Sequence, residues 1–345
     1  MRPATGVVLV ATGTFLIVGA LAMPLYVAPA VVKVPLDQSS VTYSRAQNAT
    51  VLDFQTLSER SGVDLTAVRA VRGDVEAGNA DRAVFNVGVR VTDEAGTEIT
   101  VSRDRVALDR RTGEAIACCA EDINGTPFKH DGLTYTFPFG TEKKTYRYFD
   151  NTARKAYDAT YHGTEQLQGL TVYRFEMTVE PVQVDEIKVP GHLVGSAEQM
   201  TTVGRFYTNK RTLWVEPNTG VIVKGQEDQL QTLRGPNGTD AIRIIDADLA
   251  FDEETQKQQA DVARDAMRQI NLVTVLVPIV LGVLGLALLV LGLLLFFRAN
   301  RRAEPPAPVA VGDSPEPDLD SPASADPQDE PTGPAQSRPA ERVES

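Results

Sequence analysis

The sequence predicts a β-rich α+β domain flanked by two transmembrane helices and followed by a disordered cytoplasmic tail. Three observations carry that expectation. No charged residue falls between Arg2 and Lys33, and none between Arg268 and Arg298. The chain between these runs is rich in Val, Thr, Tyr and Phe in short alternating segments bounded by turn residues, the pattern of strands. After Val311 the only sizeable aliphatics are Leu319 and Val343, among many Pro, Ala, Ser and acidic residues. So little apolar surface does not offset the entropy of ordering the tail, residues 298–345.

Residues 6–32 form the first expected span and 273–297 the second. Both exceed the roughly 20 residues needed to cross a hydrocarbon core. A cleaved signal peptide also fits the basic start and apolar middle of the first run. However, the apolar stretch continues past Pro24, and no small-x-small site precedes AMPLYVAP, which favours an uncleaved anchor. Arg298, Arg301 and Arg302 follow the second run at once. Basic residues collect on the cytoplasmic side, which puts the C-terminus inside and the central domain outside the cytoplasmic membrane. Gly13 and Gly19 in the first span, with Gly282, Gly285 and Gly292 in the second, would permit close helix packing, within one chain or in a homo-oligomer.

Residues 33–252 make up the extracytoplasmic domain. Ala83–Val91 and Ile99–Leu108 are expected to pair as a hairpin around Asp93–Gly96. Leu133–Phe137, Lys144–Phe149, Leu170–Val179 and Gly204–Tyr207 follow as further strands. Thr212–Glu216 and Val221–Lys224 flank Pro217-Asn218-Thr219-Gly220, with proline early and glycine late as a short hairpin connection requires. Asp109–Glu114 reads as another turn. Residues 253–272 lack proline and glycine and suit a juxtamembrane stalk helix, either continuous with the second span or broken near Asn271.

Few residues advertise chemistry. His130, His162 and His192 have no metal-ligand spacing, and GxxxxGK[ST], GxGxxG and GxSxG are all missing from the sequence. Neither catalytic residue, metal nor cofactor is expected, and the three histidines read as surface or turn residues. A net charge of −12 argues against a nucleic-acid partner. Cys118 and Cys119 are the only cysteines. In an oxidising compartment they admit a vicinal disulfide. A buried thiol pair within the apolar run Ile116–Ala120 is a second reading, and intermolecular or redox chemistry a third. Aromatic residues crowd Tyr135–Tyr173, where they line either a core or a groove with Lys143, Lys144, Arg147 and Arg154 nearby. Trp214 has the same two readings.

Phe137-Pro138-Phe139-Gly140-Thr141-Glu142-Lys143-Lys144-Thr145-Tyr146, followed by Tyr148-Phe149-Asp150, resembles an actinobacterial envelope protein family of unknown function labelled the porin PorA family. Gly169-Leu170 with Tyr173 and Phe175, and Trp214-Val215-Glu216-Pro217 with Thr219-Gly220, extend the resemblance over residues 1–300. It implies no catalytic residues. Its label implies a channel, although two long apolar helices suit a tethered domain better than a membrane barrel. The expected role is a doubly anchored, non-enzymatic envelope protein with a binding or scaffolding domain. The alternatives are a lipid or envelope-ligand transfer module, a porin component, and an extracytoplasmic enzyme of unrecognised type. Expected partners are membrane lipids and an envelope lipid, glycan or protein ligand. A cavity reaching towards the bilayer would favour lipid handling, and a filled core would oppose it.

Overall fold

The two charge-free runs fold as helices that pair with each other in a computed structural model, which describes residues 3–300. The first helix, α1 (Pro3–Ala22), passes through a π-helical turn at Met23–Val27 into α2 (Ala28–Val31). At the other end, α3 (Glu253–Asn271), a π-helical turn at Leu272–Leu276 and α4 (Val277–Asn300) are continuous. The stalk is therefore unbroken at Asn271. Asp252 starts it by accepting a hydrogen bond from the Thr255 amide, satisfying one orphan donor of the first turn. Both helical runs are long and apolar enough to span a membrane. Small residues let them touch: a Cβ on Gly13 would lie 2.6 Å from the Gly285 carbonyl oxygen, and one on Gly292 2.8 Å from the Val10 amide. Gly6 joins this seam opposite Gly292, Gly282 meets only Ala20, and Gly19 has nothing within 4 Å. Of the predicted tail, residues 298–300 are the end of α4, and the rest lies beyond the described residues.

Between the helices run twelve strands. They are β1 (Ser39–Asp53), β2 (Ser58–Gly73), β3 (Arg82–Asp93), β4 (Glu98–Asp109), β5 (Asp122–Ile123) and β6 (Thr126–Pro127). Then come β7 (Tyr146–Asp150), β8 (Lys155–Leu167), β9 (Leu170–Pro190), β10 (Met200–Val215), β11 (Ile222–Arg234) and β12 (Asp240–Phe251). They form one sheet in the order β6-β5-β4-β3-β2-β1-β12-β11-β10-β9-β8-β7, every named neighbour antiparallel. Two meanders thus meet where the first long strand pairs with the last, Ser44 opposite Phe251. The sheet also curls back on itself. Single-residue bridges Leu108–Ala115, Glu114–Leu133 and Leu133–Tyr148 connect β4 to β7, so two potential edges do not stay open.

Some expected strands differ. Of Leu133–Phe137 only Leu133 pairs, because the segment crosses between β6 and β7 as an irregular connection. Gly204–Tyr207 and Thr212–Val215 belong to one strand, β10, which ends before Glu216. Between them, Asn209 and Arg211 are buried polar residues, and they break the apolar alternation.

The bridge at Leu133 depends on Gly132, whose φ is +69° and whose Cβ would sit 2.7 Å from the Arg147 carbonyl oxygen. Gly132→Val should destabilise the domain by about 2–3 kcal/mol. Thermal unfolding should show it as a Tm drop of roughly 5–10 °C. Gly88→Ala, where nothing lies within 4 Å of the added atom, should leave Tm unchanged or slightly raised.

Candidate functional site

Curling sets the inner faces of β1–β4 opposite those of β10–β12 and encloses a cavity of about 440 Å³, within the range of small-ligand sites. One wall is apolar, with Val71, Phe85, Val87 and Val89 from β2 and β3 and Ile245 and Leu249 from β12. Ser40, Thr42, Ser44, Gln229 and Gln231 make other parts of the lining polar.

The cavity reaches the rim from which both membrane helices depart. Val34 and Pro35 of the linker after α2 line it there, as do Gln259, Val262 and Ala266 of α3. Their spacing places these three on one helix face. The adjacent face, Ala260 and Ala263, is fully buried against Leu170, Val172 and Val223. Arg264 donates to the Gln168 carbonyl, Arg45 pairs with Asp252 at 3.2 Å, and the Tyr43 amide donates to the Thr255 hydroxyl at 3.0 Å. The helix is thus strapped across the rim, while Val262 stays 46% exposed.

A charged cluster stands inside. Arg211 meets Asp150 at 3.1 Å and Glu227 at 3.1 Å, and the other Glu227 oxygen is 3.5 Å from Arg69. Asp150, fully buried, also accepts from the Tyr207 hydroxyl at 3.0 Å and from the Thr152 and Ala153 amides. Burial alone would push the Glu227 carboxyl up. The charge of Arg211, then that of Arg69, outweighs it and holds the group below its ordinary range.

A second cluster stiffens the wall. His130 has no exposed side-chain surface. Its Nε2 lies 2.8 Å from Asp104 and its Nδ1 2.8 Å from Glu121. Asp104 also accepts from Tyr135 and from Asn151, and these three residues face the cavity. The other Glu121 oxygen accepts from the Cys118 amide at 3.0 Å. Cys118 and Cys119 are joined by a disulfide, and Arg105 donates to the Cys119 carbonyl at 3.0 Å. The expectation of a surface or turn residue fails for His130. Its partners are 26 and 9 residues away, where no local motif reveals them. His162 is exposed, and His192 lies in the short 3₁₀ turn Gly191–Val194. Among the described residues no His, Cys, Asp and Glu group is arranged to hold a metal.

The segments carrying the family resemblance meet in space. Backbone amides of Phe137, Gly140 and Thr141 donate to the carbonyls of Gly220, Asn218 and Pro217 at 3.0, 3.2 and 2.7 Å. Gly220 has φ +74° and comes so near that a Cβ would be 2.0 Å from the Phe137 oxygen. The Pro138 carbonyl accepts from the Thr141 hydroxyl, and buried Glu216 accepts from the Thr219 amide and hydroxyl. Phe137 packs on Tyr146, Tyr148 and Phe175 with centroids 5.4, 5.6 and 4.9 Å away, so much of the aromatic band is core. Tyr135, Phe139 and Tyr148 reach the cavity. Lys143 lies over Tyr161 and Tyr173, and Lys144 pairs with Glu142. Trp214 is outside the cavity lining: its indole donates to Glu165 at 2.7 Å, with Lys224 over the ring. The turn after it supports the strap, Asn218 pointing at Met267 of α3.

Burial works to lower the His130 pKa, but hydrogen bonds and charge from Asp104, then Glu121, raise it above the ordinary value. The stability this contributes is fully present below the unfolded pKa of about 6.5 and lost as pH rises through the folded one. Thermal unfolding should therefore show Tm falling across that window. The imidazole resonances of His130 should titrate above those of a free histidine.

The sequence pattern described as Porin PorA matches residues 5–294. A protein named Porin PorA from Corynebacterium resistens is 26% identical over 88% of this chain and 98% of its own length. Another of that name from Corynebacterium amycolatum is 25% identical over 85% of this chain and 98% of its own. The chain belongs to the Porin PorA family.

Proposed function

We propose that this chain is a non-catalytic, membrane-tethered binding protein whose curled sheet receives the apolar part of a membrane lipid. The observation that carries this reading is the partly aliphatic cavity reaching the rim where both membrane helices attach. That rim stays near the bilayer. Residues 33–38 reach at most about 20 Å even when extended. They are also pinned, Val34 donating to the Arg110 carbonyl and the Lys33 ammonium to Ala80 and Asp81. The basic residues after α4 support an extracytoplasmic domain and a cytoplasmic C-terminus, as does the Cys118–Cys119 disulfide. His130, with both ring nitrogens committed to buried carboxylates, suits a structural clasp better than proton transfer to a substrate.

The name of the corynebacterial relatives offers conduction as a second reading. A membrane-crossing strand barrel turns an apolar belt outward, whereas exposed ion pairs such as Arg90–Glu98, Arg147–Asp158 and Arg243–Glu59 stud these strands. The paired helices meet through glycine backbone, a dry contact unlike a pore lining.

Full-length protein extracted in mild detergent should retain lipid by native mass spectrometry. Val89→Trp, which fills the cavity, should reduce that retention about tenfold with circular dichroism unchanged. Equal retention would contradict the reading. In planar bilayers the protein should be silent, and a reproducible unitary conductance would favour the second reading instead.

A further inference from the structure

The ladder that joins β4 to β7 closes only the half of the sheet nearest the membrane. The Arg110 carbonyl, bonded by Val34 of the linker, marks the rim end of β4. From there the strand runs back through Leu108, which bridges to Ala115, to Asp104 and Arg105, which pair with β5. Its last tie on that side is at Arg103. The Arg103 carbonyl accepts from the Asn124 amide at 2.9 Å, and its amide donates to the Asn124 side chain at 2.8 Å. Further out, among the described residues, 98–102 pair with β3 alone. Across the gap, β8 pairs with β9 only from Leu170 to Glu176, whereas β9 continues beside β10 to Pro190. Two unpaired edges therefore stand at the end of the sheet away from the membrane.

The cavity opens through this gap. Strand side chains alternate between faces, and β1, β2 and β3 accordingly line the cavity at every second position: 40, 42 and 44, then 67, 69 and 71, then 85, 87, 89 and 91. β4 breaks that rule. All of residues 100–104 line the cavity, as happens where a hollow spills past a free edge. Val101 is 49% exposed there. Arg103, Asn124 of the β5–β6 turn and Arg154 of the β7–β8 turn are exposed too, and Val184 of β9 completes the frame. Val101 lies eight positions from Asp109, the rim end of β4, which is about 26 Å along the strand. This slit is therefore a second opening, distinct from the mouth at α3.

The two openings differ in chemistry. At the rim, Val34, Val71 and Phe85 begin an apolar track that continues along β3 through Val87 and Val89. Apart from Val101 and Val184, the far slit is polar, with Arg103, Asn124, Asn151, Thr152 and Arg154. One lipid is half of a 40–45 Å bilayer, roughly 20–22 Å long, close to the strand distance between the openings. We infer that the bound lipid lies along the curled sheet, its acyl part on the β2–β3 track beside α3 and its polar headgroup emerging at the membrane-distal slit between β4 and β9. This orientation rests on the lipid-binding reading above. It presents the headgroup, and not the chain, to the extracytoplasmic side.

Two phospholipids that differ only in the place of a diazirine, on the headgroup or at the acyl end, test it in vesicles holding the full-length protein. After irradiation, headgroup adducts should favour Arg103, Asn124, Arg154 and Val184 over Pro35, Gln259 and Val262 by about tenfold. Acyl adducts should fall on Val71, Val89 and Val262 and spare the slit. Val101→Trp, at an exposed position of β4, should remove most headgroup adducts at the slit and leave the acyl adducts on Val71 and Val89. Arg154→Trp, in the exposed turn, should do the same and serves if the first variant misfolds. Headgroup adducts confined to the rim, a slit labelled equally by both probes, or headgroup adducts unchanged in the folded variants would overturn the orientation while leaving lipid binding in place. If neither probe labels the inner faces of the sheet, the lipid-binding reading itself falls.

Discussion

Closure of the sheet between β4 and β7 is the constraint on which the rest of the molecule depends. A short main-chain ladder makes it: Ile116 to Ala107 at 2.9 Å, Ala115 to Gly132 at 2.8 Å, and Leu133 paired with Arg147 and Phe149 at 2.7 and 2.8 Å. Without it the end of β4 beyond its short pairing with β5, and the free side of β7, would be open edges, and the inner faces that enclose the cavity would part. The closing segment is locally unfavourable. Cys119, Ala120, Asn124 and Tyr135 all have positive φ, a conformation L-residues avoid at about 1–2 kcal/mol each. Such backbone persists only where its surroundings over-determine it. Here the disulfide, the Glu121–His130–Asp104 clasp and the Arg105 contact to Cys119 do so. The polar cluster nearest to looking catalytic is therefore well explained as what holds the cavity shut on one side.

Pairing of β1 with β12 is the second organising fact, because it brings both ends of the domain to one rim. The linker from α2 and the strap α3 then bound the same mouth, each fixed by named hydrogen bonds. Membrane attachment and access to the cavity are consequently one piece of architecture. The helix seam through Gly6, Gly13, Gly285 and Gly292 keeps the two attachments side by side.

Much of this was legible in the sequence where one physical signal dominates. The absence of charge marks both spans, and alternation marks the β3–β4 hairpin. Proline and glycine mark the turn between β10 and β11. The helix α3 reads from its composition. The strands β1, β2, β8 and β12 did not read. The inner faces of β1 and β2 carry Ser40, Thr42, Ser44 and Arg69 into a partly polar cavity, so in these two strands apolar alternation is lost where the chain surrounds a hollow instead of a packed core. Arg211 and Asn209 hid the middle of β10 for the same reason. Asp104, Arg69 and Glu227 could not be grouped in advance, since they stand on β4, β2 and β11 and only the curl of a sheet six strands wide between them sets them around one cavity. The family-like residues around Phe137 and Gly220 stood out singly, but only the fold shows that they hydrogen-bond to each other.

The central claim is that lipid enters the curled sheet at the membrane-facing rim. Its most direct test reconstitutes the full-length protein with a phospholipid bearing a photoreactive diazirine on its acyl chain, irradiates, and maps labelled peptides by mass spectrometry. Adducts are expected on the cavity wall, at Val71, Val87, Val89, Leu249 and Val262, in addition to the lipid-exposed surfaces of α1 and α4. Adducts confined to α1 and α4, with the inner faces of β2, β3 and β12 unlabelled, would contradict it.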